Sequence, residues 1–280
     1  IIKSIKKTMS DITTNRHEYK LVQDTNEITA LVKLLLKEKE FCFDTETTGL
    51  DAHRSELVGI SLSYKPHEAF YIPVSKKSDE RKQILELLRP LFADKNILKT
   101  GQNIKYDLLI LQWAGLPVEG PFFDTMIAHY LLFPGQKHNM DYLAEKYLNY
   151  RTVSIETLIG KKGKGQLSMR HVNLEKIKEY AGEDADITLQ LKYILEKELE
   201  KNTLKELFNE VEMPLVPVLA QMEYDGVYIN RENLHNFAEE LRDEISKIKD
   251  KIITIAGTDF NIGSPKQLGE ILFDRLKIVK

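Results

Sequence analysis

Apolar and polar positions keep no stable rhythm over residues 1–18, and the segment 1–19 reads as a linker or tail. A short strand-bearing arm is the alternative there. A four-residue strand, YKLV, then opens at Tyr19. Ile28, Leu31, Val32, Leu34 and Leu35 recur at helical spacing, which predicts an amphipathic helix over 26–38. Phe41, Cys42 and Phe43 begin an apolar strand that a turn at Thr47, Thr48 and Gly49 closes. Val58, Ile60, Leu62 and Tyr64 alternate as in a half-buried strand, and Ala69 to Val74 forms another. Three strands with tight connections predict an antiparallel meander.

Helices are expected at 80–92, 103–113, 123–132 and 139–147, with a short strand at Ile97 and Leu98. Lys161, Lys162, Gly163, Lys164 and Gly165 predict a flexible basic loop. A long helix follows over 173–200, with Asn173 and Glu175 suited to its start. The texture changes near residue 203. An apolar helix at 204–223 carries Pro214 and Pro217, which predict a kink. Val227, Tyr228 and Ile229 predict a short strand, 231–254 a charged helix, and Ser264 with Pro265 the start of another. The fold class expected is α/β, a mixed sheet flanked by helices and followed by a partial helical segment.

Composition narrows the function classes. The chain has 280 residues, enough for one large domain or two smaller ones. Its single cysteine, Cys42, excludes an internal disulfide and a multi-cysteine zinc site, and suits a reducing cytosol. No apolar run approaches the roughly 18 residues of a membrane helix. The net charge of -3 argues mildly against bulk nucleic-acid binding. The chain opens on Ile1 and stops within an unfinished pattern, so both ends read as cut from something longer.

Three motifs carry chemistry. Asp44 and Glu46, two apart on a strand, project from one face, and a divalent cation relieves their repulsion. Alone, the pair reads better as a solvated strand end. Asn103 and Asp107 are four apart on one helix face. Asn103 also suits an N-cap, and Asp107, set among apolar residues, needs a partner of some kind. Tyr180 and Asp184 repeat the spacing of four. Taken singly, Tyr180 is as well a core aromatic, and Asp184 and Asp186 as well surface charges. Together, four acids from one strand and two helices can hold two cations for in-line attack on a phosphodiester.

The segments Phe-Asp-Thr-Glu-Thr at 43–47, Gly-Gln-Asn-Ile-Lys-Tyr-Asp at 101–107 and Tyr-Ala-Gly-Glu-Asp-Ala-Asp at 180–186 resemble the three exonuclease motifs of the DEDD superfamily. Tyr180 points to the DEDDy branch, and the likeness narrows to the proofreading 3′→5′ exonuclease domain of bacterial family A DNA polymerases. The C-terminal segments LAQMEYDG at 219–226 and FNIGSPKQLGEIL at 260–272 resemble the entry to that family's polymerase domain and its thumb.

The resemblance implies a ribonuclease H-like fold, an exonuclease domain over 20–203, and a truncated start of a polymerase domain over 204–280 without its active site. It implies two divalent cations, magnesium with manganese as substitute. Asp44, Glu46 and Asp184 would hold the tighter one; Asp44 would bridge to the second, supported by Asp107. Tyr180 with Glu46 would position the attacking water. Thr47, Leu50, Gln102 and Asn103 match positions near the substrate, and Ile155 stands where some relatives carry an aromatic. Ordinary packing is the other reading of Leu50 and Ile155. Lys161, Lys162, Lys164, Arg170 and His171 would form a phosphate-binding patch, with a solvated surface loop as the alternative. The implied partner is a single-stranded or frayed DNA 3′ end, with a covalently linked polymerase domain, in a monomeric protein of the bacterial cytoplasm. An RNA-trimming enzyme of the ribonuclease D type and a non-catalytic DNA-binding scaffold are the rival readings.

Overall fold

The computed structural model describes residues 9–163 and 165–278. The chain divides into two compact units, the first ending at Asp225 and the second beginning at Gly226. The division thus falls after the texture change near residue 203. Helices α8 (Lys205–Leu207) and α9 (Met213–Asp225) lie in the first unit, where α9 packs on α3 (Ile104–Trp113).

Strands β2 (Glu18–Leu21), β3 (Glu40–Thr47), β4 (Leu57–Lys65), β5 (Glu68–Pro73), β6 (Leu98–Gly101) and β7 (Phe122–Asp124) form a mixed sheet in the order β2-β5-β4-β3-β6-β7. The meander β3-β4-β5 is antiparallel, as the tight connections require. The outer pairs β2-β5, β3-β6 and β6-β7 are parallel and are joined through helices.

Helix α1 (Thr25–Leu35) starts because Asp24 accepts from the Asn26 N–H while Glu27 reaches back, a reciprocal cap. It buries Ile28, Leu31, Val32 and Leu35 and packs on α2 (Ser78–Phe92). Phe92 meets Phe41 and Phe43 of β3 edge-on, 5.6 and 5.2 Å between ring centres. Helix α7 (Leu174–Lys201), capped by Asn173, crosses β2, β3, β4 and β5. Gly182 permits that close approach: a β-carbon there would lie 2.8 Å from Cγ of Tyr19.

The shorter helices are α4 (Thr125–Leu132), α5 (Met140–Leu143) and α6 (Glu156–Ile159). The second unit holds α10 (Arg231–Ala256) and α11 (Pro265–Gly269), the latter with proline in its first turn. Among the described residues, no helix is long and apolar enough to cross a membrane.

Several local expectations change. The N-terminal segment from Ser10 is not a free tail: β1 (Ser10–Asp11) pairs in parallel with β8 (Tyr150–Arg151), and His17 Nε2 lies 2.9 Å from a Glu179 carboxylate oxygen. Residues 1–8 lie outside the described residues. The helix expected at 123–132 yields its first two residues to β7, because Phe122 to Asp124 extend the buried sheet edge beside β6. Val227 to Ile229 form no strand: no strand pairs with them, and they stay exposed at 88%, 89% and 60%. The apolar helix expected at 204–223 runs continuously over 205–225, with a π-helical stretch at 208–212. Pro214 and Pro217 both lie within this helical run, where each withholds a helix N–H.

Candidate active site

Alternation along β3 turns Phe41 and Phe43 toward α2, and Asp44 and Glu46 to the opposite side. A bulge between Glu46 and Thr47 bends the strand just past the acids. Helix α7 brings Asp184 to the same place. One carboxylate oxygen from each of Asp44, Glu46 and Asp184 lies within 4.8 Å of the others. Glu46 and Asp184 are buried and Asp44 is half-buried.

Asp107 arrives on α3, which starts after Asn103 at φ +58°. Its Oδ1 accepts from the Thr45 hydroxyl at 2.5 Å and the Thr45 N–H at 3.1 Å. Asp107 therefore sits beside the other three acids, with one oxygen committed to the strand residue between Asp44 and Glu46.

Hydrogen bonding separates the acids of α7 by task. Glu183 accepts from the Tyr150 hydroxyl and the Val153 N–H, both at 2.6 Å. Asp186 accepts from the Tyr19 hydroxyl, the His67 N–H and Gln190, each at 2.8 Å. Both are buried structural anchors, so Asp186 is not a surface charge. Asp184 Oδ1 and Glu46 Oε1 differ: each is buried with no hydrogen-bond partner in the structure. Burying an unpaired carboxylate costs several kcal/mol, on the order set by its lost hydration.

The charge balance follows. Burial pushes the Asp44 carboxyl up to about 7. Burial, then repulsion from Asp44, lifts Glu46, Asp107 and Asp184 well above the usual carboxylate range. Burial, then the charges of Asp184 and Glu46, raise the Tyr180 phenol. Four acids that resist ionisation, two with bare buried oxygens, suit a divalent cation with a preference for oxygen ligands.

The acids and Tyr180 line a cleft of about 360 Å³. Thr47, Leu50, Gln102, Asn103, Ile155 and Lys162 line it too. Leu50 is 90% exposed, which removes core packing as its explanation. Ile155 is 40% exposed. The Asn103 side chain makes no cap bond, but the amide of Gln102 is committed: its NH₂ donates to the His138 carbonyl at 2.7 Å and its oxygen accepts from the Thr125 hydroxyl. Lys161 is exposed and is not among the residues lining the cleft. Lys164 lies outside the described residues.

Arg170 is not a free phosphate ligand. Its guanidinium donates to the Leu57 carbonyl at 2.6 Å and the Val74 carbonyl at 3.1 Å, and stands 3.7 Å from Glu56. A two-carbonyl clamp on the sheet spends the fork that the patch required.

Two residues escaped the sequence reading. Asp124 accepts from the N–H groups of Asn103, Ile104, Met126 and Ile127, at 2.8–3.2 Å, so one carboxylate caps both α3 and α4. It takes the capping role considered for Asn103. An acid directly before an apolar helix was the available signal. Tyr106 donates to the Gly49 carbonyl at 2.6 Å and lies 2.8 Å from the Thr47 hydroxyl. It thereby pins the turn that presents Leu50, and nothing in the sequence pairs those positions.

Known proteins resemble this chain over most of its length. A family described as 3′-5′ exonuclease matches residues 19–200, and one described as DNA polymerase family A matches 231–280. DNA polymerase I of Borreliella burgdorferi is 38% identical over 273 residues, covering 96% of this chain and 30% of the relative. The chain thus spans about a third or less of the length of the curated relatives it matches. Among solved structures, the POL domain of Pol1 from M. smegmatis in complex with DNA primer-template and dNTP aligns with a TM-score of 0.71 at 23% identity, covering 92% of this chain and 41% of that one. Brucella melitensis NrnC with bound Mg2+ aligns with a TM-score of 0.58 at 21% identity, covering 78% and 95%. At these identities the structural likeness speaks to the fold.

Proposed function

Because the chain belongs to the 3′-5′ exonuclease family carried by DNA polymerase I homologues, we propose that it hydrolyses the terminal phosphodiester at a DNA 3′ end and releases nucleoside 5′-monophosphates. One observation carries the reading: one oxygen each of Asp44, Glu46 and Asp184 lies within 4.8 Å of the others, and Asp184 Oδ1 is buried with no hydrogen-bond partner in the structure. A purely structural acid cluster would be satisfied in the way Glu183 and Asp186 are.

Asp44, Glu46 and Asp184 would hold one divalent cation, and Asp44 with Asp107 a second; magnesium suits the all-oxygen donors and manganese can replace it. When bound, such ions lower the pKa of a water and neutralise the charge that develops on the phosphate. Asp44 is suited to the shared position because its charge weighs on Glu46, Asp107 and Asp184 alike. Tyr180 and Glu46 orient the attacking water; the raised phenol stays protonated and donates. Leu50, exposed at the rim, wedges against the terminal base, Thr47 and Asn103 contact its nucleotide, and Lys162 faces the phosphates.

The domain limits we favour are an exonuclease part over 20–203 and the beginning of a polymerase domain over 204–280, the latter supported by the match at 231–280. A linked polymerase domain, a monomeric state, a single-stranded or frayed end as substrate and a bacterial cytoplasmic setting complete the reading. Labelled single-stranded DNA and RNA, each incubated with magnesium, manganese or chelator, test it. Metal-dependent trimming of DNA from the 3′ end is expected. Better trimming of RNA would favour the ribonuclease D-like alternative, and no trimming at all a scaffold.

A further inference from the structure

Three buried polar atoms without a hydrogen-bond partner in the structure gather around one glycine of β4: Glu46 Oε1, the Tyr71 hydroxyl and Arg170 Nε. Gly59 of β4 stands opposite Glu46 of β3 in the antiparallel register. Side chains of such a pair leave the sheet on the same side, roughly 5 Å apart at the β-carbons. Gly59 has none, and the Tyr71 hydroxyl takes up the space: a β-carbon at Gly59 would lie 2.1 Å from it. The phenol oxygen therefore occupies the cross-strand position beside Glu46.

Its surroundings leave it few alternatives. Tyr71 is fully buried, and its ring packs with Val58, Ile177 and Ala181 beneath Tyr180. Arg170 is clamped to the carbonyls of Leu57 and Val74, which flank the Gly59–Pro73 pair. Burial raises the Tyr71 phenol, the Glu46 charge adds to this, and Arg170 opposes it, so the phenol feels both neighbours. A neutral hydroxyl suits the place. It can fix one carboxylate oxygen and leave the negative charge for a cation, whereas an ammonium there would cancel it.

We propose that Tyr71 is a positioning residue for Glu46, donating its hydroxyl hydrogen to Oε1 when Glu46 serves the site, with Arg170 anchoring the sheet edge behind it. The inference rests on the exonuclease reading for its purpose. Hydrogen-bond partners of this kind, behind a ligand, commonly matter 10- to 100-fold in metal affinity or activity.

The test compares Tyr71→Phe with Tyr19→Phe in the full chain. Both remove one buried hydroxyl, but that of Tyr19 serves Asp186. Manganese affinity without DNA is measured by titration calorimetry, together with the melting temperature in chelator. Steady-state trimming of single-stranded DNA supplies kcat and KM. Tyr71→Phe should bind manganese roughly tenfold more weakly and lose kcat by a similar factor. Its KM for DNA and its melting temperature should hold. Tyr19→Phe should melt lower and keep manganese affinity. Unchanged manganese affinity in Tyr71→Phe would overturn the proposal, and so would a loss that comes with a lowered melting temperature. If the wild type binds manganese but trims no DNA, the exonuclease reading fails, while the affinity comparison still decides the part played by Tyr71.

Discussion

Replacing Asp44 by asparagine should stabilise the metal-free protein and abolish its activity. Burial lifts the Asp44 carboxyl from its ordinary 3.8 to about 7. A folded-state pKa above the unfolded one gives stability that is complete below about pH 4 and lost as pH rises through 7. Full ionisation of this group would cost about 4 kcal/mol on that difference. Asp44 is half-buried, so about half of that is a fair expectation for Asp44→Asn at pH 8 in chelator. A gain of about 2 kcal/mol corresponds to roughly 4–8 °C in melting temperature for a unit of this size. The gain should fall to under half by pH 5 and vanish only below about pH 4, where the acid is protonated in both states. With magnesium or manganese present the order should reverse, because the cation stabilises only the intact cluster. Thermal melts from pH 5 to 8, with chelator and with metal, and a trimming assay on the same samples cover every part. A variant that melts lower than wild type at pH 8 in chelator, or by the same margin at every pH, would refute the electrostatic account.

Further outcomes follow from single contacts. Asp124→Ala should cost roughly 2–4 kcal/mol in denaturant unfolding, since four helix-start N–H groups lose their acceptor at once; a loss under 1 kcal/mol would mean that water replaces it. Gly182→Ala should destabilise by about 1–3 kcal/mol, its β-carbon colliding with the Tyr19 ring, and wild-type stability would show that α7 can simply lift away. Leu50→Ala should leave stability within about 0.5 kcal/mol, as befits a side chain 90% exposed, while raising KM for DNA severalfold. An unchanged KM would remove Leu50 from the substrate path.

The parts legible in the sequence were those with a local cause. Asp44 and Glu46 were visible because a strand period of two fixes their common side, and Tyr180 with Asp184 because a helix period does the same. The meander was readable from short connections. Long-range pairing was not: a two-residue strand such as Ser10–Asp11 carries no period, and only its partner at Tyr150–Arg151 defines it. Val227 to Ile229 show the converse, β-branched and aromatic residues that favour a strand but meet no second strand to pair with. Arg170 looked like a ligand because a basic run says nothing about where its guanidinium ends. Which of the three acids at 183, 184 and 186 keeps a bare oxygen depends on donors 30 or more residues away, from Tyr150, Val153, Tyr19 and His67.

The shared cap at Asp124 also bears on motion. One carboxylate closes the first turns of two helices, and one of those helices carries Asp107. Displacing that carboxylate uncaps both first turns at once. The amides of Asn103, Ile104, Met126 and Ile127 accordingly belong to one opening event and should exchange with solvent as a single cooperative unit. Asp107 is thus held as steadily as the sheet edge at β7, even though α3 begins on a left-handed residue that would otherwise serve as a hinge.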